Sequence, residues 1–110
     1  KKIDMKKVIL AGLLILISFV GYSQEWHTNF DSAMADAKNE NKNIVMVFAG
    51  SDWCAPCMKL EKYILESDDF KNYANDHWVL LKLDFPKKKK NKLSDEQQLH
   101  NDKLAEKYNK

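Results

Sequence analysis

Two cysteines stand three positions apart in Trp53-Cys54-Ala55-Pro56-Cys57, the only thiols of a 110-residue chain. Two intervening residues bring the second sulfur within bonding reach of the first, the spacing that thiol–disulfide exchange uses. The reactive species is the thiolate, so the surroundings of the pair decide its reactivity. The apolar run Ile44-Val-Met-Val-Phe48 precedes it, and Met58, Leu60, Glu61, Ile64 and Leu65 follow at helical spacing. The cysteines therefore fall at a strand-to-helix junction, where unpaired N–H groups and the helix dipole stabilise negative sulfur. Pro56 suits a first helical turn, because its missing N–H has no partner there in any case. On this reading Cys54 attacks a substrate disulfide and Cys57 resolves the mixed disulfide that forms.

Three other uses of the pair compete. A structural disulfide across so short a loop would constrain the unfolded chain by about 2 kcal/mol at most on the loop-entropy scale. Zinc needs four ligands, and without a second cysteine pair the rest would come from His27, His77, His100 or carboxylates, which lack ligand-like spacing. The third use is a pair of inert buried thiols. Motif and setting agree on redox chemistry, and no metal or organic cofactor is expected.

The elements that must position the pair follow from periodicity. Thr28-Asn-Phe-Asp31 has a capping-box pattern, and Trp26, Phe30, Met34 and Ala37 recur at helical spacing until the polar stretch Asn39 to Asn43. The continuous apolarity of Ile44 to Phe48 predicts a strand covered on both faces, as in a parallel sheet. Ser67-Asp-Asp69 caps a short helix carrying Phe70, Tyr73 and Ala74. Trp78 to Phe85 reads as a second strand stopped by Pro86. Lys87 to Lys92 is a basic connector, read as solvated in preference to a lipid or acidic-partner site. Ser94-Asp-Glu-Gln97 opens a last helix with Leu99, Leu104 and Tyr108. Alternating helices and strands predict an α/β domain with parallel strands. The three histidines are expected at element ends or on the surface, without a catalytic role.

Residues 1–23 differ in kind. They hold four Lys and one Asp, a charge of +3, whereas residues 24–110 hold 14 Lys and 15 acids, a charge of −1. The slight basicity of the whole thus belongs to the front end, and the part that folds has no excess that would suit nucleic acid. Met5-Lys6-Lys7, the apolar run from Val8 and the small residues Gly21 and Ser23 form a signal-peptide pattern, with Met5 as start and cleavage after Ser23. An uncleaved signal would instead anchor the domain to a membrane. No cysteine follows the run to carry a lipid.

Phe48-Ala-Gly-Ser-Asp-Trp-Cys-Ala-Pro-Cys57 after a hydrophobic strand, with the element order from about Trp26 to Asn109, resembles the thioredoxin-like family, especially its small exported members. The resemblance implies a three-layer α/β thioredoxin fold, a central mixed sheet flanked by helices, with thiol–disulfide exchange on protein substrates. It makes Cys54 the attacking and Cys57 the resolving cysteine. It also makes Trp53 the tryptophan beside the active site and Pro56 the proline that tunes redox potential, with Ala55 between the thiols giving an Ala-Pro pair of reductant type. Two departures stand out. The family's buried acid lies six residues before the first cysteine, where this chain has Phe48, and Asp52 in an exposed loop is a poor replacement. The family's cis-proline opens a strand after the third helix; Pro86 comes too early for it, and the chain reaches Lys110 just after that helix. Strands buried on both faces also need neighbours. Residues 24–110 are therefore expected to be the N-terminal portion of the domain, cut before the cis-proline strand.

The function expected is an exported thiol–disulfide oxidoreductase of a bacterial periplasm or cell envelope, monomeric, acting on protein thiols and disulfides. A reductant there needs electrons from a membrane donor, because a periplasm is kept oxidising. Trp53 is expected as a substrate platform. The alternative is a binding or accessory module on the same scaffold, without significant turnover.

Overall fold

The apolar segments pair as parallel strands. A computed structural model describes residues 25–109; the expected leader, its cleavage after Ser23 and the alternative anchor lie outside the described residues. β2 (Asn43–Ala49) and β3 (Trp78–Asp84) run parallel in register from Asn43 opposite Trp78 to Ala49 opposite Asp84. A two-residue strand, β1 (Trp26–His27), pairs in parallel with the other edge of β3, giving the order β1-β3-β2. The central strand is the most deeply covered, with Leu81 and Leu83 fully buried and Val79 and Leu80 nearly so. Strand β2 is half-buried along most of its length and is one of the two edge strands of the sheet among the described residues.

Alternation along the strands divides the side chains between two faces. Val79, Leu81 and Leu83 point to one face and pack with Ala33 and Ala37 of α1 (Phe30–Glu40), joined by Ile44, Met46 and Phe48 of β2. The opposite face carries Leu80, Lys82 and Asp84. The cysteine-bearing helix α2 (Ala55–Leu60), a π-helical turn (Glu61–Leu65) and α3 (Asp68–His77) follow in sequence. A 3₁₀ turn (Lys89–Asn91) and α4 (Asp95–Tyr108) complete the described chain.

Capping explains the helix boundaries and corrects two expectations. The Asn29 side chain, not Thr28, caps α1 by accepting the Ser32 N–H at 3.1 Å, and Asn41 ends the helix in the left-handed region at φ 53°. Trp26 is not on the α1 face but in β1, where its ring stacks on Phe70 with centroids 6.4 Å apart. A large aromatic one strand away from the helix gains more by covering the second sheet face than by extending a stripe already filled by Ala33 and Ala37. Ser67 and Ser94 cap α3 and α4 as the sequence suggests, each hydroxyl accepting an N–H three residues on. Gln97 does not close the second capping box; its amide donates to the Thr28 carbonyl and to Asn101 Oδ1.

α4 docks through polar groups. Asn101 is almost fully buried and donates from Nδ2 to the Asp84 carbonyl at 3.0 Å. His100 lies inside α4 and is half-buried, contrary to the expected surface placement. Its Nε2 accepts the Phe30 N–H at 3.0 Å, so a side chain of α4 satisfies an orphan donor at the start of α1. Replacing Asn101 by Ala leaves the Asp84 carbonyl without this donor at a buried site. The expected loss is about 1–3 kcal/mol of stability, read as a lower urea midpoint with an unchanged m-value.

Candidate functional site

The site begins where β2 ends. Cys54 is the N-cap of α2 in an extended conformation, and its carbonyl accepts the Met58 N–H at 3.1 Å. Its sulfur accepts the Cys57 N–H at 3.3 Å, so one of the orphan donors of the first turn points at the sulfur expected to carry negative charge. Ala55 and Pro56 occupy that first turn and are exposed. Cys54 and Cys57 are bonded to each other as a disulfide, and both are half-buried. The five residues Trp53 to Cys57 thus sit together at the strand-to-helix junction where the sequence puts them.

The end of β2 and the loop before the cysteines, residues 50–53, are tied to the end of β3 and the segment after it. The Phe85 N–H donates to the Ala49 carbonyl at 2.8 Å. Asp84 accepts the Ser51 N–H at 3.0 Å and the Ser51 hydroxyl at 2.7 Å. Trp53 Nε1 donates to the Phe85 carbonyl at 2.7 Å, and the Lys87 ammonium lies 3.8 Å from the centroid of the indole ring. Asp52 accepts the backbone N–H groups of Lys87 and Lys88 and the Asn91 amide, each at 3.0 Å. Trp53 is half-exposed but held on an edge, on one face and against Gly50, where a Cβ would run into the indole. Glycine at position 50 is needed for that close approach.

Asp52 therefore has a structural task that its loop position did not suggest. The Lys87 N–H chiefly, then the Asn91 amide, hold its carboxyl below the ordinary value of 3.8; partial burial opposes them, and the Lys88 N–H and charge add to them. Phe48, at the place of the family's acid, packs in the apolar core with its ring 6.3 Å from Phe85.

Behind the cysteines lies a charged pair that sequence reasoning missed. Lys82 Nζ donates to both carboxylate oxygens of Glu61 at 2.8 Å and sits 4.4 Å from the centroid of the Trp26 ring. A cavity of about 340 Å³ is lined by Cys57 together with Glu61, Lys82 and Asp84. A second hollow of about 370 Å³, mostly apolar, is bordered by Trp53, Cys57, Phe48 and Phe85. The signal was in the sequence: a lone lysine inside Leu80-Leu-Lys-Leu83, on a strand read as covered on both faces, must have a partner. Among the described residues no group of three or more His, Cys, Asp or Glu is placed to hold a metal ion.

A family model described as thioredoxin-like matches residues 25–106. The chain belongs to the thioredoxin-like family. Within it, the chain is 36% identical over 84 residues to the disulfide bond reductase DsbH of Chlamydia pneumoniae, covering 76% of this chain and 49% of that protein. It is 30% identical over 97 residues to the thioredoxin-related protein DsbJ of the same organism, covering 79% of this chain and 28% of that protein. A solved DsbH oxidoreductase structure superposes with a TM-score of 0.71 at 32% identity, over 81% of this chain and 60% of that one. The thioredoxin fold is thus established, and the chain spans about half or less of the length of the curated relatives it matches.

Two outcomes test the loop ties in this thioredoxin-like domain. Because the Asp52 pKa is lowered, its clamp is complete above 3.8 and is lost as pH falls through the lowered value. The Lys87 and Lys88 amide signals should titrate with a shared midpoint below 3.8 in NMR spectra; a midpoint at the ordinary carboxylate value would remove the clamp. Gly50→Ala should push Trp53 off the Phe85 carbonyl, cost about 1–3 kcal/mol by overpacking, and shift the tryptophan emission. An unchanged spectrum would mean that Trp53 is not seated on Gly50.

Proposed function

We propose that this chain carries the redox centre of a thiol–disulfide oxidoreductase that reduces disulfides of protein clients outside the cytoplasm. The observation that carries the reading is the Cys54 sulfur at the N-cap of α2, accepting the Cys57 N–H while bonded to Cys57. That arrangement stabilises the thiolate released when the disulfide opens, and it keeps the second sulfur in place to resolve a mixed disulfide. Cys54 is the nucleophile and Cys57 the resolving thiol.

Trp53, seated against Gly50 and with half its surface exposed beside Cys57, serves as a fixed wall for the client chain. Ala55 and Pro56 leave the rim of the disulfide uncluttered, and Pro56 tunes the potential. The direction as a reductant draws support from the printed name of the DsbH relative and from the Ala-Pro pair between the cysteines. The site outside the cytoplasm draws support from the charged start, apolar run and small residues of positions 5–23. A reductant in that compartment takes its electrons from a membrane donor, since its surroundings are oxidising. The chemistry uses the two sulfurs alone, with no metal or organic cofactor.

The full-length protein should reduce a model disulfide protein in the presence of a small dithiol, and Cys54→Ser should abolish that activity. Equal activity in the variant would remove the proposal in favour of a binding module. Cys57→Ser should accumulate a client joined to Cys54. The Cys54/Cys57 reduction potential should lie nearer about −270 mV than about −120 mV; a value at the upper end would reverse the direction to oxidation.

A further inference from the structure

The thioredoxin-like domain has Phe48 where its family has a buried acid, yet resolution of a mixed disulfide still requires Cys57 to lose a proton. The cavity behind the disulfide offers a replacement from a different element. Its charged groups come from two sides: Glu61 and Lys62 from the π-helical turn with Glu66 just after it, and Lys82 and Asp84 from β3. Strand β2 contributes only Ala49, and the loop after it Ser51. Asp84 is already engaged, with one oxygen accepting the Ser51 and Phe85 N–H groups and the other the Ser51 hydroxyl. Glu61 is differently placed. It stands four residues after Cys57, donates its own N–H to the Cys57 carbonyl, and therefore shares the helix face of that cysteine. Both its oxygens face a single lysine nitrogen, which leaves each with further accepting capacity, and Glu61 itself lines the cavity.

We propose that Glu61, held by Lys82, is the proton acceptor for Cys57 in the resolving step. This rests on the thiol–disulfide function proposed above. A client sulfur bonded to Cys54 is displaced when Cys57 attacks the Cys54 sulfur. The Cys57 S–H bond breaks, its proton passes to a Glu61 carboxylate oxygen directly or through one water, and the Cys54–Cys57 bond forms. The Cys54–client bond breaks, and the client sulfur leaves with the electron pair as a thiolate that water protonates. The protein dithiol is oxidised and the client disulfide reduced. When Glu61 is protonated, Lys82 keeps the Trp26 ring as a partner, so its position survives the cycle. The π-helical turn starts at Glu61 and ends with the Glu66 N–H on the Glu61 carbonyl at 3.0 Å, a local widening often found beside functional groups.

Two measurements on the full-length protein test this. In the Cys54→Ser background, alkylation of Cys57 by iodoacetamide across pH reports the thiol without any turnover. Glu61→Gln, which leaves the Lys82 charge uncompensated, should move the midpoint down, and Lys82→Gln should move it up, each by about 1 pH unit. In single turnover with a model disulfide protein, Glu61→Gln should slow decay of the mixed disulfide about tenfold or more at pH 7, the loss expected of a general base. The first step, the attack by Cys54, should stay within about twofold. Glu61→Asp should restore part of the rate. Unmoved alkylation profiles, or mixed-disulfide decay as fast in Glu61→Gln as in the wild type, would overturn the assignment. Absence of any Cys54-dependent exchange in the wild type, with the opposite alkylation shifts present, would count against the redox function and leave the coupling of Glu61 to Cys57 standing.

Discussion

The reactive helix is held in place by the loop that feeds it, and that loop is secured from outside itself. Residues 50–53 form few bonds of their own that would fix them; Asp84 at the end of β3 and Phe85, Lys87, Lys88 and Asn91 after it do so. Two strands parallel in register over seven residues deliver both segments to the same end of the sheet. The C-terminal ends of β2 and β3 are therefore one unit, and the Cys54 N-cap geometry is a consequence of the sheet rather than of the five-residue motif alone. A Cys-x-x-Cys string without this tie would have the spacing for exchange but no fixed first turn to direct an N–H at its sulfur.

The two faces of the sheet have separate tasks. On the face of Val79, Leu81 and Leu83 the packing is apolar, and Phe48 belongs to it. On the face of Leu80, Lys82 and Asp84 the side chains toward the C-terminal end of β3 are charged, and each charge is matched: Lys82 by Glu61, Asp84 by Ser51. Burying half-covered charges is tolerable only with partners at hydrogen-bond distance. Polarity thus rises along one face of one strand, from Leu80 in the core to Asp84 beside the cysteines.

Much of this was legible in the sequence and some was not, for identifiable reasons. The strands at Ile44 to Phe48 and Trp78 to Phe85 stood out because continuous apolar runs bounded by polar residues have few other structures open to them. The Ser67 and Ser94 caps were local, a hydroxyl and an N–H three residues apart, and local bonds can be read from spacing. The cysteine junction was legible for the same reason. Trp26 was misplaced because a two-residue strand has no period of its own, and four apolar residues at helical spacing outweighed it. His100 and Asn101 were unreadable because their partners, the Phe30 N–H and the Asp84 carbonyl, lie 70 and 17 residues away. The Glu61–Lys82 pair, 21 residues apart, was hidden likewise, although the isolated lysine in β3 marked one half of it.

The clamp on Asp52 has an asymmetric demand on chain identity. One side is a particular carboxylate; the other is supplied by two main-chain N–H groups, which every residue but proline possesses, and by one amide. Position 88 can therefore change chemical character widely without losing its bond to Asp52, whereas Lys87 also covers the Trp53 ring and position 52 has to remain a carboxylate. The run of lysines is then free to answer to other pressures, such as solubility or the charge of whatever approaches the thiols, because the architecture asks nothing of most of its side chains.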